Sequence, residues 1–424
     1  MTHSKSIYFD RYAYPKRYLN YTPKENTGII AVIPCHNELD LISSLEAICN
    51  CERPCPIEVI VVVNASESSS EEVKEQNRLT VLQAGEWWQN QQIDNISLHL
   101  ILENELPKKH AGVGLARKIG MDEAVRMFES IGNADGVILC FDADSTCSQN
   151  LLTSVFQLFQ DNPNSPGCSI NFEHPLDGDM DKHIYEAITY YELHLRYYVD
   201  ALKWAGFPFA YHTIGSSMAV RSSAYQKQGG MNRRKAGEDF YFLHKIIPLG
   251  GFEEINDASV YPSPRASDRV PFGTGKAVGD WIASGQAGYV TYSYESFCDL
   301  RAFLDCVDDF YNASSNSTKQ TLSELPQSIC EFLRSNDFTS SQREIKKQST
   351  SLVTFRKRFF QWFDGFRVLK FVHFSRDDFY PNISTEKAVN WLMQNIDVEA
   401  ELDLKANLNQ LRALDKSGAF KNNT

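Results

Sequence analysis

Four short, mostly apolar runs punctuate the first third of the chain, at 29–33, 58–63, 98–102 and 137–141. Helical patterns separate them. Leu39, Ile42, Leu45 and Ile48 recur at helical spacing, and 113–128 and 151–159 carry the same periodicity. A strand that is apolar along its whole length must be covered on both faces. Strands of this kind alternating with helices predict an α/β fold, a mostly parallel sheet with helices on both sides. Ligands collect at the carboxyl ends of such strands. Three of the ends are polar or acidic: Pro34 leads into His36, Asn37 and Glu38; the second run leads into Asn64; the fourth leads into Asp142, Ala143 and Asp144.

Further along, 182–204 reads as one long amphipathic helix rich in tyrosine. It is followed by a Gly/Ser segment at 214–220 and a turn at Gly229 and Gly230. A helix is predicted from about Glu238, and a Pro/Gly/Ser-rich loop over 261–275. Beyond 293 the pattern is mostly helical, broken by a polar stretch at 312–319. The expected division is an N-terminal extension (1–28), an α/β domain (29–292) and a C-terminal helical region (293–424). The tyrosines Tyr190, Tyr191, Tyr197 and Tyr198 are expected in the core. The basic and aromatic stretch at 355–374 is expected to pack on the catalytic domain, membrane-surface contact being the other reading.

The formal net charge of −12 argues against a nucleic-acid-coating role, which needs a basic surface. No stretch approaches the about 20 apolar residues of a membrane helix, and residues 1–24 carry no apolar signal core. Ten cysteines in a chain of 424 residues read as reduced thiols. Cys49, Cys51 and Cys55 lack the paired C-x-x-C spacing of a zinc site. A cytoplasmic location is expected, with peripheral membrane association as its variant.

Two aspartates straight after a buried strand supply hard oxygen ligands for Mg²⁺ or Mn²⁺, with positions left for phosphate oxygens. A solvated turn has the same composition. Arg117 and Lys118, in the helix that follows Gly112 and Gly114, are candidates to face a diphosphate. Arg265 and Arg269 sit in the Pro/Gly-rich loop and are candidates for a lid. His212, Gly215 and Ser216 are candidates for the acceptor side.

Five segments together resemble family 2 glycosyltransferases of the GT-A fold: IIAVIPCHNE (29–38), EVIVVVNAS (58–66), GVGLARKIGMDEA (112–124), GVILCFDADS (136–145) and AGEDFYF (236–242). The resemblance runs over about residues 29–245 in the family's order. It implies a GT-A-type, Rossmann-like sheet and a hexosyltransferase-type enzyme using a UDP- or GDP-sugar. The transfer would go with inversion to a carbohydrate or lipid-linked acceptor. It also implies a metal at Asp142 and Asp144, Asp239 as base, and Glu238 orienting the acceptor or supporting Asp239. The sequence departs from the family pattern at Asn64, where an aspartate is common, and at Lys118, where an asparagine is usual. It also lacks the Gln-x-x-Arg-Trp motif and spanning helices of the membrane-bound synthases. The alternatives are a retaining enzyme, which would dispense with Asp239, and a non-catalytic nucleotide- or sugar-binding protein. A nucleotidylyltransferase would need a Gly-rich loop after the first strand, where this chain has Pro34-Cys35-His36-Asn37.

Overall fold

The structure, a computed structural model, describes residues 7–269, 273–285 and 288–420. In chain order the elements begin α1 (Ile7–Arg11), β1 (Ile29–Cys35), α2 (Leu41–Cys49), β2 (Ile57–Ser66), α3 (Glu71–Gln89), β3 (Ile96–Leu106), α4 (Val113–Ser130), β4 (Val137–Cys140) and β5 (Ser145–Cys147). They continue with α5 (Leu151–Asp161), β6 (Gly167–Phe172), α6 (Lys182–Trp204), β7 (Met218–Arg221), α7 (Ser222–Lys227), α8 (Glu238–Ile246), β8 (Glu253–Pro262) and α9 (Thr274–Ala283). The rest is helical apart from a small ribbon: β9 (Val290–Thr291), α10 (Tyr294–Asp305), α11 (Val307–Asn312), α12 (Ser315–Glu324), α13 (Gln327–Ser335), α14 (Phe338–Lys347), α15 (Leu352–Trp362), α16 (Gly365–Asp378), β10 (Ile383–Ser384), α17 (Thr385–Asn395) and α18 (Leu404–Ser417).

The fold is mixed α/β, with a helical C-terminal region. The main sheet has the order β3-β2-β1-β4-β7-β6-β8-β5. Every residue of β1 and β4 is buried, as their unbroken apolar sequence requires. β1 runs through Pro34 instead of stopping before it. Its pairing with β4 ends at Val32, while pairing with β2 continues to Cys35, so Pro34 sits where one flank of the strand is already an edge. The helical run does break in the polar stretch at 312–319, but only at residues 313–314: α11 ends at Asn312 and α12 starts at Ser315, where Ser314 caps it by accepting from the Ser317 amide. α3 was invisible to apolar periodicity, since it buries only Asn77, Thr80 and Ala84. The predicted loop shrinks to the residues between β8 and α9, and its positions 270–272 lie outside the described residues.

Strand directions decide which residues meet. β1, β2, β3 and β4 run parallel, so their carboxyl ends share one edge. β7 is antiparallel to β4, with Met218 opposite Cys140. The segment entering β7, Gly215 to Ser217, therefore lies at that same edge. β6 is antiparallel to β7, and β8 is parallel to β6. The carboxyl end of β8, which leads to Arg265, points the same way again.

By contact density the chain forms two units, 1–185 with 213–280, and 186–212 with 281–424. The boundary between these units falls at 280/281, and most of α6 groups with the C-terminal helices. Within the second unit, α6 buries Glu192 and Arg196; Arg412 of α18 pairs with Glu192 at 2.7 Å, and Arg196 pairs with Asp415. Tyr197 is buried edge-on against Phe297. The aromatic stretch at 355–374 supplies this unit's own core: Phe355, Phe359, Phe363, Phe371 and Val372 are all fully buried. Among the described residues no helix is long and apolar enough to cross a membrane. All ten cysteines are free thiols.

Candidate active site

Arg117 is the hub of the sheet edge. It lies in the second turn of α4, with only 1% of its side chain exposed. Its Nη2 donates to Asp142 Oδ1 at 3.0 Å, Nε to Glu238 Oε1 at 3.2 Å, and Nη1 to the Gly215 carbonyl at 2.8 Å. Two glycines make this approach possible. A Cβ on Gly114 would fall 2.2 Å from the Arg234 carbonyl and 2.9 Å from Glu238 Cβ, so α4 can lie against the turn before α8 only with glycine there. A Cβ on Gly215 would fall 2.7 Å from Arg117 Nη2 and 3.0 Å from Asp239 Oδ2. Asp239 therefore sits beside the guanidinium that holds Asp142. Asn232 steadies α8 by donating to the Glu238 carbonyl at 2.8 Å.

One guanidinium cannot neutralise three carboxylates. Burial and then the neighbouring Asp239 push Glu238 up to about 7, against the pull of Arg117. Burial also raises Asp239, opposed by Arg117 and the Phe240 amide. Arg117 is raised too: burial lowers it, but Asp142 and then Glu238 outweigh that and hold it protonated. The Glu238–Asp239 pair thus retains a proton towards neutral pH, the condition for a base that works there.

A second cluster lies at the carboxyl ends of β1 and β8. Glu38 is buried and takes both nitrogens of Arg265, Nη1 at 2.9 Å and Nη2 in a shorter contact, plus Arg269 Nη1 at 3.0 Å. Arg265 Nη2 also reaches Asp144 Oδ2 at 2.8 Å. Arg269 Nη2 donates to the Asn37 carbonyl at 2.9 Å. Asn37 adopts a left-handed φ of 49°, and its amide donates to Asn77 Oδ1 at 2.9 Å. Buried Asn77 also donates to the Asn64 carbonyl and to Asn104 Oδ1, so it ties the ends of β1, β2 and β3 together. No sequence pattern singled it out.

Burial would lift the Glu38 carboxyl, but Arg265 and then Arg269 pull it down to about 2. A depressed carboxylate contributes stability above its unfolded pKa, and this is lost as pH falls through its folded one. Glu38→Gln should therefore cost about 3 kcal/mol at pH 7. The deficit should shrink as pH drops below the ordinary carboxylate range. Paired urea melts of both proteins between pH 7 and pH 3 check this, and a deficit independent of pH contradicts it.

Not every candidate joins these clusters. Lys118 points the other way: its ammonium lies 3.2 Å from Asp122 and donates to Tyr8 Oη, in a buried group that also holds Tyr225. One helical step of about 100° separates it from Arg117, so the two cannot serve one face. Asn64 turns its amide to the Cys35 carbonyl at 2.8 Å and so links two strand ends. His36 meets the Asn64 carbonyl at 2.7 Å. His212 belongs to the second unit, 4.0 Å from Asp415, and burial lowers it to about 3, leaving it neutral. Ser216 is buried beside Ser217. Pro34 is buried near the end of β1, and Ala143 in the turn between β4 and β5.

The donor chemistry at Asp142 and Asp144 fits a hard divalent cation. Their side chains are 35% and 32% exposed, and each gives one oxygen to an arginine. No other hydrogen bond or ion pair among the described residues engages the second oxygen of either. Among those residues no set of three or more His, Cys, Asp or Glu is arranged around a metal position. Phosphate oxygens and water would have to complete the shell, as Mg²⁺ commonly accepts. Burial and the adjacent Asp142 raise Asp144, the situation a cation would relieve.

No family model and no curated protein matches the chain. Among solved structures, S. aureus TarS 1–349 in complex with UDP-GlcNAc aligns at 13% identity over 93% of this chain and 90% of its own, with a TM-score of 0.38. The same TarS fragment with UDP aligns at 14% identity over 93% and 91%, with a TM-score of 0.37. A likeness at this level does not bear on chemistry.

Proposed function

We propose that the chain transfers a sugar from a nucleotide diphosphate sugar to an acceptor hydroxyl, with inversion and with the help of a divalent cation. The reading is supported above all by Arg117, which gathers Asp142 from the end of β4, Gly215 from the entry to β7 and Glu238 from the start of α8. Asp239, the partly exposed member of the acid pair, accepts the proton of the attacking hydroxyl. Glu238, buried and fixed by Arg117, orients that hydroxyl or keeps Asp239 in place. A divalent cation at Asp142 and Asp144 would stabilise the negative charge of the departing diphosphate. Arg265 and Arg269 stand at the same edge and supply bidentate donors suited to phosphate. Because Asp239 must be ionised and its carboxyl is raised, kcat/KM should climb with pH along an acid limb above the ordinary aspartate range.

The donor class is a UDP- or GDP-sugar, and the acceptor a carbohydrate or lipid-linked hydroxyl. Thermal shifts with UDP and GDP, each with and without Mn²⁺, test the binding half of the reading. The expected result is stabilisation by at least one nucleotide only when Mn²⁺ is present, about 2.7 kcal/mol at a hundred times Kd. The absence of any metal-dependent shift contradicts it.

A further inference from the structure

Cys51 and Cys147 stand far apart in sequence, yet their sulfurs are 3.6 Å apart. The contact does not arise from the crowding of Cys49, Cys51 and Cys55, which sequence alone brings to notice. It arises because the backbones after α2 and after β5 run side by side, the Glu52 amide donating to the Gln149 carbonyl at 2.9 Å. Cys51 also lies near the start of α5, whose Leu151 and Leu152 amides help to lower its thiol, and Arg53 is close by, donating to the Cys51 carbonyl at 3.0 Å. The sulfur contact with Cys147 lowers Cys51; burial opposes this, and the α5 amides and Arg53 add to the lowering. Cys147 is raised by the same contact. A thiolate stabilised by a helix N-terminus and a cation, with a second thiol in contact, is the arrangement of a reactive dithiol. Cys51 is buried and Cys147 is half-buried.

We propose that Cys51 and Cys147 form a reversible redox pair, closed to a disulfide by a peroxide and reopened by a dithiol reductant. The Cys51 thiolate attacks one oxygen of hydrogen peroxide and breaks the O–O bond, giving a sulfenic acid and hydroxide. The hydroxide takes the Cys147 proton to form water. The Cys147 thiolate then attacks the Cys51 sulfur and expels the second oxygen as hydroxide. That hydroxide takes up the proton released when Cys51 ionised, so two thiols and one peroxide yield one disulfide and two waters. A disulfide needs the sulfurs to close by roughly 1.5 Å, within reach of side-chain rotation since the backbones are already paired. The bond would staple the end of α2 to β5, three residues beyond Asp144. This inference does not depend on the proposed sugar transfer.

The test is thiol mapping of the full-length protein after limiting hydrogen peroxide, by alkylation under denaturing conditions and non-reducing peptide mass spectrometry. The expected result is loss of two of the ten thiols, a Cys51–Cys147 cross-linked peptide, and recovery of both thiols with dithiothreitol. In Cys147→Ser the sulfenic acid should persist on Cys51 and take up a 1,3-dione probe; in Cys51→Ser, Cys147 should remain a thiol. The proposal is overturned if a dose that oxidises Cys55, Cys298 or Cys306 leaves Cys51 and Cys147 alkylatable. Cys51 linked to another cysteine, or unlabelled in Cys147→Ser, overturns it equally.

Discussion

Asparagine in place of Asp239 is expected to lower donor turnover by about 10²–10⁴-fold, the usual contribution of a positioned general base. The substitution keeps shape and one carbonyl oxygen, which can still accept from the Phe240 amide, as Asp239 Oδ1 does at 2.7 Å. What it removes is the capacity to take a proton. Nucleotide binding should therefore survive while turnover falls, the pattern of a group that acts in the transition state. A retaining transfer, which has no need of a base there, predicts near-normal turnover instead. Steady-state rates of the two proteins, with Mn²⁺-dependent nucleotide binding as the control for folding, decide between these outcomes.

The largest expected effect on stability falls on Arg117. Its guanidinium is buried, so replacing it with methionine leaves Asp142, Glu238 and Asp239 crowded without a counter-charge. Breaking a buried pair by removing one partner costs about 3–5 kcal/mol, because the surviving charge stays desolvated. The sign of the pH dependence follows from the raised Glu238 and Asp239. As pH falls they take up protons, the uncompensated charge disappears, and the deficit of Arg117→Met should narrow. Urea unfolding at pH 8 and pH 5 measures both quantities. Adding Glu238→Gln to Arg117→Met should recover part of the loss, since one of the stranded charges is then gone. A deficit below 1 kcal/mol at pH 8, or one that grows on acidification, contradicts the hub role.

Much of this arrangement was legible in the chain before any coordinates. The runs around Val32, Val61 and Leu139 are apolar throughout, which only a doubly covered strand can use. The acids after Cys35 and Cys140 then had to emerge at one edge. What stayed hidden depends on partners distant in sequence. Arg117 and Lys118 look alike on paper, and only helix rotation sends one to Asp142 and the other to Asp122. Asn77 sits on a helix with almost no apolar stripe, so nothing marked it as the residue that binds three strand ends. The arginines at 265 and 269 were legible as cations in a loop, but not as partners of Glu38, because that contact depends on β8 running parallel to β1. Asn64 read as a polar strand end, and its amide is instead absorbed by the backbone of the neighbouring strand.

The site stands or falls as a place where a glycosyl bond to a diphosphate is broken. Incubating the wild-type protein with a panel of UDP- and GDP-sugars and Mn²⁺ or Mg²⁺, and following the anomeric proton by NMR before mutarotation, reads this directly. At least one donor should release its nucleoside diphosphate together with sugar of inverted anomeric configuration, and Asp239→Asn should suppress that signal. Folded protein that leaves every donor intact, or an Asp239→Asn protein that releases the same sugar at the same rate, would contradict the assignment.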